Sequence, residues 1–170
     1  MYKSLPHISN YGYYQFVTFR TKDSLDEYLK RVINTTMQNA KKQYLLDQYL
    51  DKSHNGRYLN DKVLDIAKEY IVNLDKKLFD LVCFVIMPNH IHILFKEIAK
   101  LSEIMQKLKG GLAFKINKYL DNKGQLWAKD YYDKSIRDEK HFETVYRYIE
   151  NNAIKANLKD SERRFYTIYE

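Results

Sequence analysis

The apolar positions of the chain alternate between a strand period and a helix period. "YYQFVTFRT" (13–21) is rich in aromatic and β-branched residues and reads as a first strand. Behind it, Leu25, Leu29, Val32 and Ile33, Met37, Ala40, Tyr44 and Leu45 recur at helical spacing. Ser24 and Glu27 form a capping box for this long helix, and "DKSHNG" (51–56) ends it. A shorter helix is expected over about 60–74, with Val63, Ile66, Ala67, Tyr70 and Ile71 on its inner face. "LFDLVCFVIM" (78–87) is a near-continuous apolar run, as a central strand buried on both faces requires. Pro88 cannot donate to a ladder, so Pro88–Asn89 turn the chain tightly into a next strand, 90–96.

An amphipathic helix is expected over about 101–120, with Leu101, Ile104, Met105, Leu108, Leu112, Ile116 and Leu120 inward. Gly110–Gly111 lies inside it at a cost of about 1 kcal/mol per glycine, so close packing or close approach of another backbone is expected there. After the break at "DNKGQ", "YYDKSIR" (131–137) reads as an edge strand and about 139–153 as a last helix. The order β-α(α)-β-β-α-β-α predicts an α+β fold: a ferredoxin-like split βαβ antiparallel sheet with an appended C-terminal helix. The 170 residues form one domain by length.

Composition narrows the class of partner. Charged residues make up 30% and the net charge is +7, a balance that favours polyanions, nucleic acid first. Sixteen tyrosines could stack on bases or fill half-wet cores. The lone Cys83 excludes an internal disulfide. No apolar run reaches 18 residues and no signal-peptide pattern is seen, so no membrane partner and a cytoplasmic location are expected.

Candidate chemistry centres on "VIMPNHIHILF" (85–95). Side chains alternate along a strand, so His90 and His92 project together while Ile91, Ile93 and Phe95 feed the core. Their Cα atoms lie about 6.5 Å apart, near enough to chelate one divalent cation. A bare His-x-His is more often a hydrogen-bonded pair, so a metal site needs a third ligand. On the last helix, Phe142, Val145, Tyr146, Ile149 and Ala153 make the core stripe. Tyr148 and Asn152 sit roughly 120° and 80° to one side of it, an i, i+4 pair on the stripe's margin. Tyr146 is expected to pack.

"FVIMPNHIHILF", followed by "LWAKDYYDKSIRDEKHFETVYRYIENNAIKANL", resembles the single-tyrosine transposases of the His-hydrophobic-His endonuclease superfamily, most closely the REP-associated tyrosine transposases. The similarity covers most of the chain apart from 50–75. The resemblance implies that His90 and His92 bind Mg²⁺ or Mn²⁺ and that Tyr148 attacks a phosphodiester of single-stranded or hairpin DNA, leaving a 5′-phosphotyrosine. It places Asn152 as the amide-bearing third ligand, and a monomer or a homodimer is consistent with it. Relatives usually carry Asn-Pro where this chain has Asn152–Ala153; without the proline the helix is free to continue. The alternative reading is a hairpin-binding protein that has lost the chemistry. Phosphate contacts are expected from Lys107, Lys109, Lys115 and Lys118, and from Lys155, Lys159, Arg163 and Arg164. Trp127, Asp133 and Arg137 match family positions and read as structural.

Overall fold

The structure, a computed structural model of the chain, describes residues 5, 10–26, 31 and 39–169. Its elements are β1 (Tyr14–Arg20), α1 (Asn39–Lys52), α2 (Asp61–Asn73), β2 (Phe79–Ile86), β3 (His90–Glu97) and α3 (Leu101–Leu120). They continue with β4 (Tyr132–Ser135), α4 (Glu139–Lys155), α5 (Ser161–Arg164) and β5 (Phe165–Thr167). The strands form one antiparallel sheet in the order β4-β1-β3-β2-β5. This is the expected split βαβ plan with one strand more. β5 was not foreseen: its three half-buried residues carry no alternation, and they pair with Cys83–Val85 at the sheet's edge.

Strand register sorts the sheet into two faces. Opposite one another across β1 and β3 stand Phe16 and Leu94, Thr18 and His92, and Arg20 and His90. These share the front face. Val17, Phe19, Ile91, Ile93 and Phe95 take the back, where Leu64, Ala67 and Ile71 of α2 and Ile104, Leu108 and Leu112 of α3 cover them. On the front, Phe142, Val145, Tyr146, Ile149 and Ala153 of α4 pack on Phe16, Val85 and Leu94. The apolar stripe read from the sequence of α4 is therefore its docking face. A register shift between Leu81 and Cys83 breaks the period of two, so Val82 and Cys83 both join the front core.

The β2–β3 connection is tight: the Met87 amide donates to the His90 carbonyl at 2.9 Å across Pro88–Asn89. α4 starts where Asp138 caps it, its carboxylate accepting from the His141 amide at 2.8 Å. The helix runs through Ala153 to Lys155, as the missing proline allows.

Two sequence expectations are corrected here. Tyr44 and Leu45 of α1 do not face inward; they are 56% and 43% exposed, and the buried positions are Asp47 and Leu50. The helix turns carboxylates towards the sheet, so its apolar periodicity points to the wrong side. Glu27 and positions 29, 32, 33 and 37 lie outside the described residues, while Ser24 sits in a 3-10 turn and donates to the Thr21 carbonyl at 2.6 Å. Arg164, expected at a DNA phosphate, is 3% exposed. Its guanidinium donates to the Asp160 carboxylate, to the Leu59 and Ile86 carbonyls and to the Asn60 amide oxygen at 2.6–3.0 Å, tying α5 to the start of α2 and the end of β2.

The paired glycines of α3 separate in role. A Cβ on Gly111 would run into the Tyr70 ring, whose hydroxyl donates to the Lys107 carbonyl at 2.8 Å, whereas one on Gly110 meets nothing. Gly110→Ala should accordingly raise stability by about 0.5–1 kcal/mol. Gly111→Ala should lower it, because the ring must move and the hydrogen bond is lost. Denaturant midpoints of the two variants check the opposite signs.

Candidate metal and nucleophile site

The front face ends, beside α4 and under α1, in a cluster that no core would build for stability. His90 and His92 are both fully buried, their ring centroids 4.8 Å apart. Tyr148 of α4 lays its ring 5.3 Å from that of His92 and 6.1 Å from that of Phe16, edge to face in both cases. Its hydroxyl donates to Asp47 Oδ2 of α1 at 2.6 Å. Asn152, one helical turn on, is buried beside it, close enough for its amide to favour the ionised phenol. The two imidazoles, the phenol and the carboxamide singled out in the sequence thus meet in one place. Tyr146 does not join them; it is 4% exposed and donates to Thr167 Oγ1 at 2.9 Å.

The imidazoles are held by their Nδ1 atoms. Asn89 donates through Nδ2 to the Leu50 carbonyl at 2.9 Å, which leaves its Oδ1 to accept from His90 Nδ1 at 2.7 Å. That bond fixes the His90 proton on Nδ1 and a lone pair on Nε2. His92 Nδ1 lies 2.6 Å from the Thr18 hydroxyl, its cross-strand neighbour. Both Nε2 atoms are buried with no hydrogen-bond partner among the described residues, and so are Asp51 Oδ1 and Asn152 Oδ1. Each such atom costs about 1–3 kcal/mol when left unmet. Lone pairs collected in a dry site are what a cation would satisfy.

Asp47, His90 and His92 each offer a ligand atom, and these atoms lie within 4.8 Å of one another. The donor set fits a divalent ion: two neutral imidazoles and a carboxylate, with the Asn152 carboxamide close by. Burial pushes His92 down to about 3 and His90 well below its ordinary value, His92 adding to the effect on His90. Both are therefore neutral, with lone pairs available, at physiological pH. Asp51 Oδ1 stands 3.7 Å from His90 Nε2, but with His90 uncharged this is not an ion pair.

Asp47 is the residue the sequence reading missed. Burial pushes its carboxyl up to about 7, against hydrogen bonds from Tyr148 and from Gln43 Nε2, the latter at 2.7 Å. Asp51, one turn on, is also raised to about 7, by burial and by the charge of Asp47. Burial and the two aspartates push the Tyr148 phenol up, with the Asn152 amide opposing them. The available signal was the line Gln43, Asp47, Asp51 at i, i+4, i+8 on one face of α1. Tyr44 and Leu45 set a competing apolar period on another face of α1, which hides that line.

The cationic residues expected to contact DNA are placed unevenly. Lys107 is exposed and paired with Glu103 at 2.9 Å, and Lys115 lies over the Tyr70 ring. Lys118, Lys155 and Lys159 are exposed, and exposed Arg163 pairs with Asp65 at 2.9 Å. Lys109 is half-buried, its ammonium donating to the Ala128 and Lys129 carbonyls at 2.7 and 3.3 Å. With Arg164 it belongs to the framework. Trp127 behaves as read, buried against Phe19 and donating to the Lys109 carbonyl at 3.0 Å. No described helix is long and apolar enough to cross a membrane.

Comparison with known proteins bears on the family and the fold. Residues 50–152 match the model of the family described as "Transposase IS200 like". An uncharacterized protein of Haemophilus influenzae is 30% identical over an alignment covering 42% of this chain and 52% of that protein. The chain thus spans about half the length of that curated relative. Among solved structures, a REP-associated tyrosine transposase bound to a REP hairpin aligns at a TM-score of 0.50 and 15% identity, covering 91% of this chain and 74% of the other. At that identity the likeness speaks for the fold.

Protonation of Asp47 sets a pH signature for metal binding. Its raised carboxyl holds a proton below about 7, and an ion ligated there must displace it. Mn²⁺ affinity, measured by calorimetry, should rise by up to about tenfold per pH unit below 7 and level off above it. Asp47→Asn should flatten the rise. A pH-independent affinity in the unaltered chain would remove Asp47 from the ligand set.

Proposed function

Because this chain belongs to the IS200-like transposase family, we propose that it cuts and rejoins single-stranded DNA through Tyr148, at sites beside DNA hairpins. One observation carries the reading: the Tyr148 hydroxyl is held by Asp47, with the Asn152 amide beside it, against two buried imidazoles whose Nε2 atoms have no partner among the described residues. A phenol serving only the core would need neither the histidines nor the carboxylate.

The step balances within the chain and its substrate. Tyr148 Oη bonds to the scissile phosphorus, the phosphorus–O3′ bond breaks, and the products are a 5′-phosphotyrosine and a free 3′-hydroxyl. A phenol raised above its ordinary value is not ionised at neutral pH, so its proton must leave as the bond forms. Asp47 Oδ2, already 2.6 Å away, is the acceptor, a carboxyl titrating at about 7 is well matched to that task, and the proton it takes passes to the departing O3′ to complete the hydroxyl. His90 and His92, with Asp47 or Asn152 as third donor, would hold a divalent ion, proposed as Mg²⁺ or Mn²⁺, whose chemistry there is polarisation of a phosphate oxygen. Attack by the retained 3′-hydroxyl, or by one from another strand, reverses the step without an external energy source.

The same geometry supports activity despite the sequence Asn152–Ala153. Although α4 continues past it, Asn152 stays beside the Tyr148 hydroxyl, and Ala153 is buried in the front core. All the groups come from one chain, so a monomer suffices for chemistry and a homodimer is not required to complete the site. Hairpin DNA is proposed as the partner by analogy with the hairpin-bound relative. Exposed Lys107, Lys115, Lys118 and Lys155 supply phosphate contacts, each adding about 0.7 to the log–log salt slope on single strands.

Incubation with end-labelled hairpin-flanked DNA and Mn²⁺ should yield a denaturant-resistant protein–DNA adduct. Tyr148→Phe should abolish it, Tyr146→Phe should retain it, and Asp47→Asn should slow its formation by about 100-fold or more. Retarded mobility without any adduct would mean that the protein binds DNA without cutting it. Cleavage surviving Tyr148→Phe would mean that water is the nucleophile.

A further inference from the structure

Beside the nucleophile lies a cavity of about 400 Å³ to which none of the chemistry above assigns a role. One wall is β1 with Thr18 and Arg20, the second is α1 with Gln43 and Leu46, and the third is the 130–134 segment with Tyr131 and Tyr132. It adjoins the site through two hydrogen bonds already described. Thr18 holds His92, and Gln43 holds Asp47. Its size falls in the range of clefts that take small ligands, about 300–1,000 Å³.

Arg20 makes the cavity unusual. Its Nη1 is buried with no hydrogen-bond partner among the described residues. A guanidinium offers donors and no acceptor, and leaving one of its N–H groups dry is costly. The wall around it is rigid, since Lys109 clamps the Ala128 and Lys129 carbonyls and lies over the Tyr131 ring at 5.7 Å. Asp130 and Asp133 also line the cavity, which disfavours an anion inside it. An uncharged, planar, acceptor-bearing group suits the interior better, with the cavity's Lys42 and Lys134 meeting negative charge at its rim.

Resting on the strand-cutting reading, we propose that this cleft binds one nucleobase of the single strand next to the phosphate that Tyr148 attacks, with Arg20 donating to the base edge and Tyr131 or Tyr132 stacking on its face. Guanine is the preferred base, because N7 and O6 together present the paired acceptors a guanidinium fits. Stacking on tyrosine is indifferent to base identity, so discrimination falls to Arg20.

Calorimetric titration of the intact chain with deoxyguanosine, deoxyadenosine, deoxycytidine and thymidine monophosphates, and with inorganic phosphate, tests this without requiring catalysis. Deoxyguanosine monophosphate should bind about tenfold or more tighter than the other four. Arg20→Met should erase that preference. Leu46→Trp, which fills the cleft from α1 without replacing Arg20, should abolish nucleotide binding while leaving the thermal transition in place. Equal binding of the four nucleotides, binding no tighter than inorganic phosphate, or a guanine preference that survives Arg20→Met would overturn the proposal. A guanine preference in a chain that forms no Tyr148 adduct would instead refute the strand-cutting chemistry and leave the cleft a base-binding site.

Discussion

Two imidazoles sealed from water on the front of the sheet are the constraint around which the molecule is arranged. An unmet polar atom in such a place costs about 1–3 kcal/mol, and His90 and His92 each carry one. Neighbours meet the other half of each ring. Asn89 anchors His90 Nδ1 and Thr18 anchors His92 Nδ1, so the hairpin and the central strand pair keep both Nε2 atoms in the same dry cluster. Asn89 in turn is tied to α1 by its bond to the Leu50 carbonyl, and its own carbonyl accepts from the Thr21 amide at 2.9 Å. Turn, sheet and helix are therefore coupled through one asparagine.

Burial suppresses charge in the site, on the carboxyls and on the imidazoles alike. Asp47 and Asp51 hold protons up to about 7, where the unfolded chain would have lost them near 4. That contribution makes the folded state less stable as pH rises from about 4 to 7. His92 works in the opposite direction. Its folded value of about 3 lies below the unfolded one of 6.5, so its contribution grows as pH rises over that window. The two effects oppose each other across nearly the same range. Stability against pH is consequently a poor reporter of this site, and ligand binding is a good one.

Most of the scaffold could be read from the chain. β1 follows from its aromatic and β-branched residues, β2 from a near-continuous apolar run that turns at Pro88–Asn89 into β3, α3 from a period of 3.6, and the docking face of α4 from one apolar stripe. Tyr148 and Asn152 were placed by their angle from that stripe. What escaped was information that does not repeat. β5 is too short for periodicity and exists because β2 leaves an edge to be paired. Asp47 sits on a helix whose Tyr44 and Leu45 face solvent, so only the partners across the fold reveal which side matters. Arg164 looked like one more surface cation, yet burial and its internal acceptors make it a strut. Local sequence cannot distinguish a charge that meets solvent from one that meets a carbonyl a hundred residues away.

The central claim is that the paired imidazoles share one ion with groups carried by α1 or α4. Pulsed electron paramagnetic resonance of the Mn²⁺-loaded protein tests it at the atoms concerned. The account predicts two imidazole nitrogen couplings on a single Mn²⁺, one disappearing in His90→Ala and the other in His92→Ala. A bound Mn²⁺ without nitrogen coupling, or couplings that survive both substitutions, would contradict it.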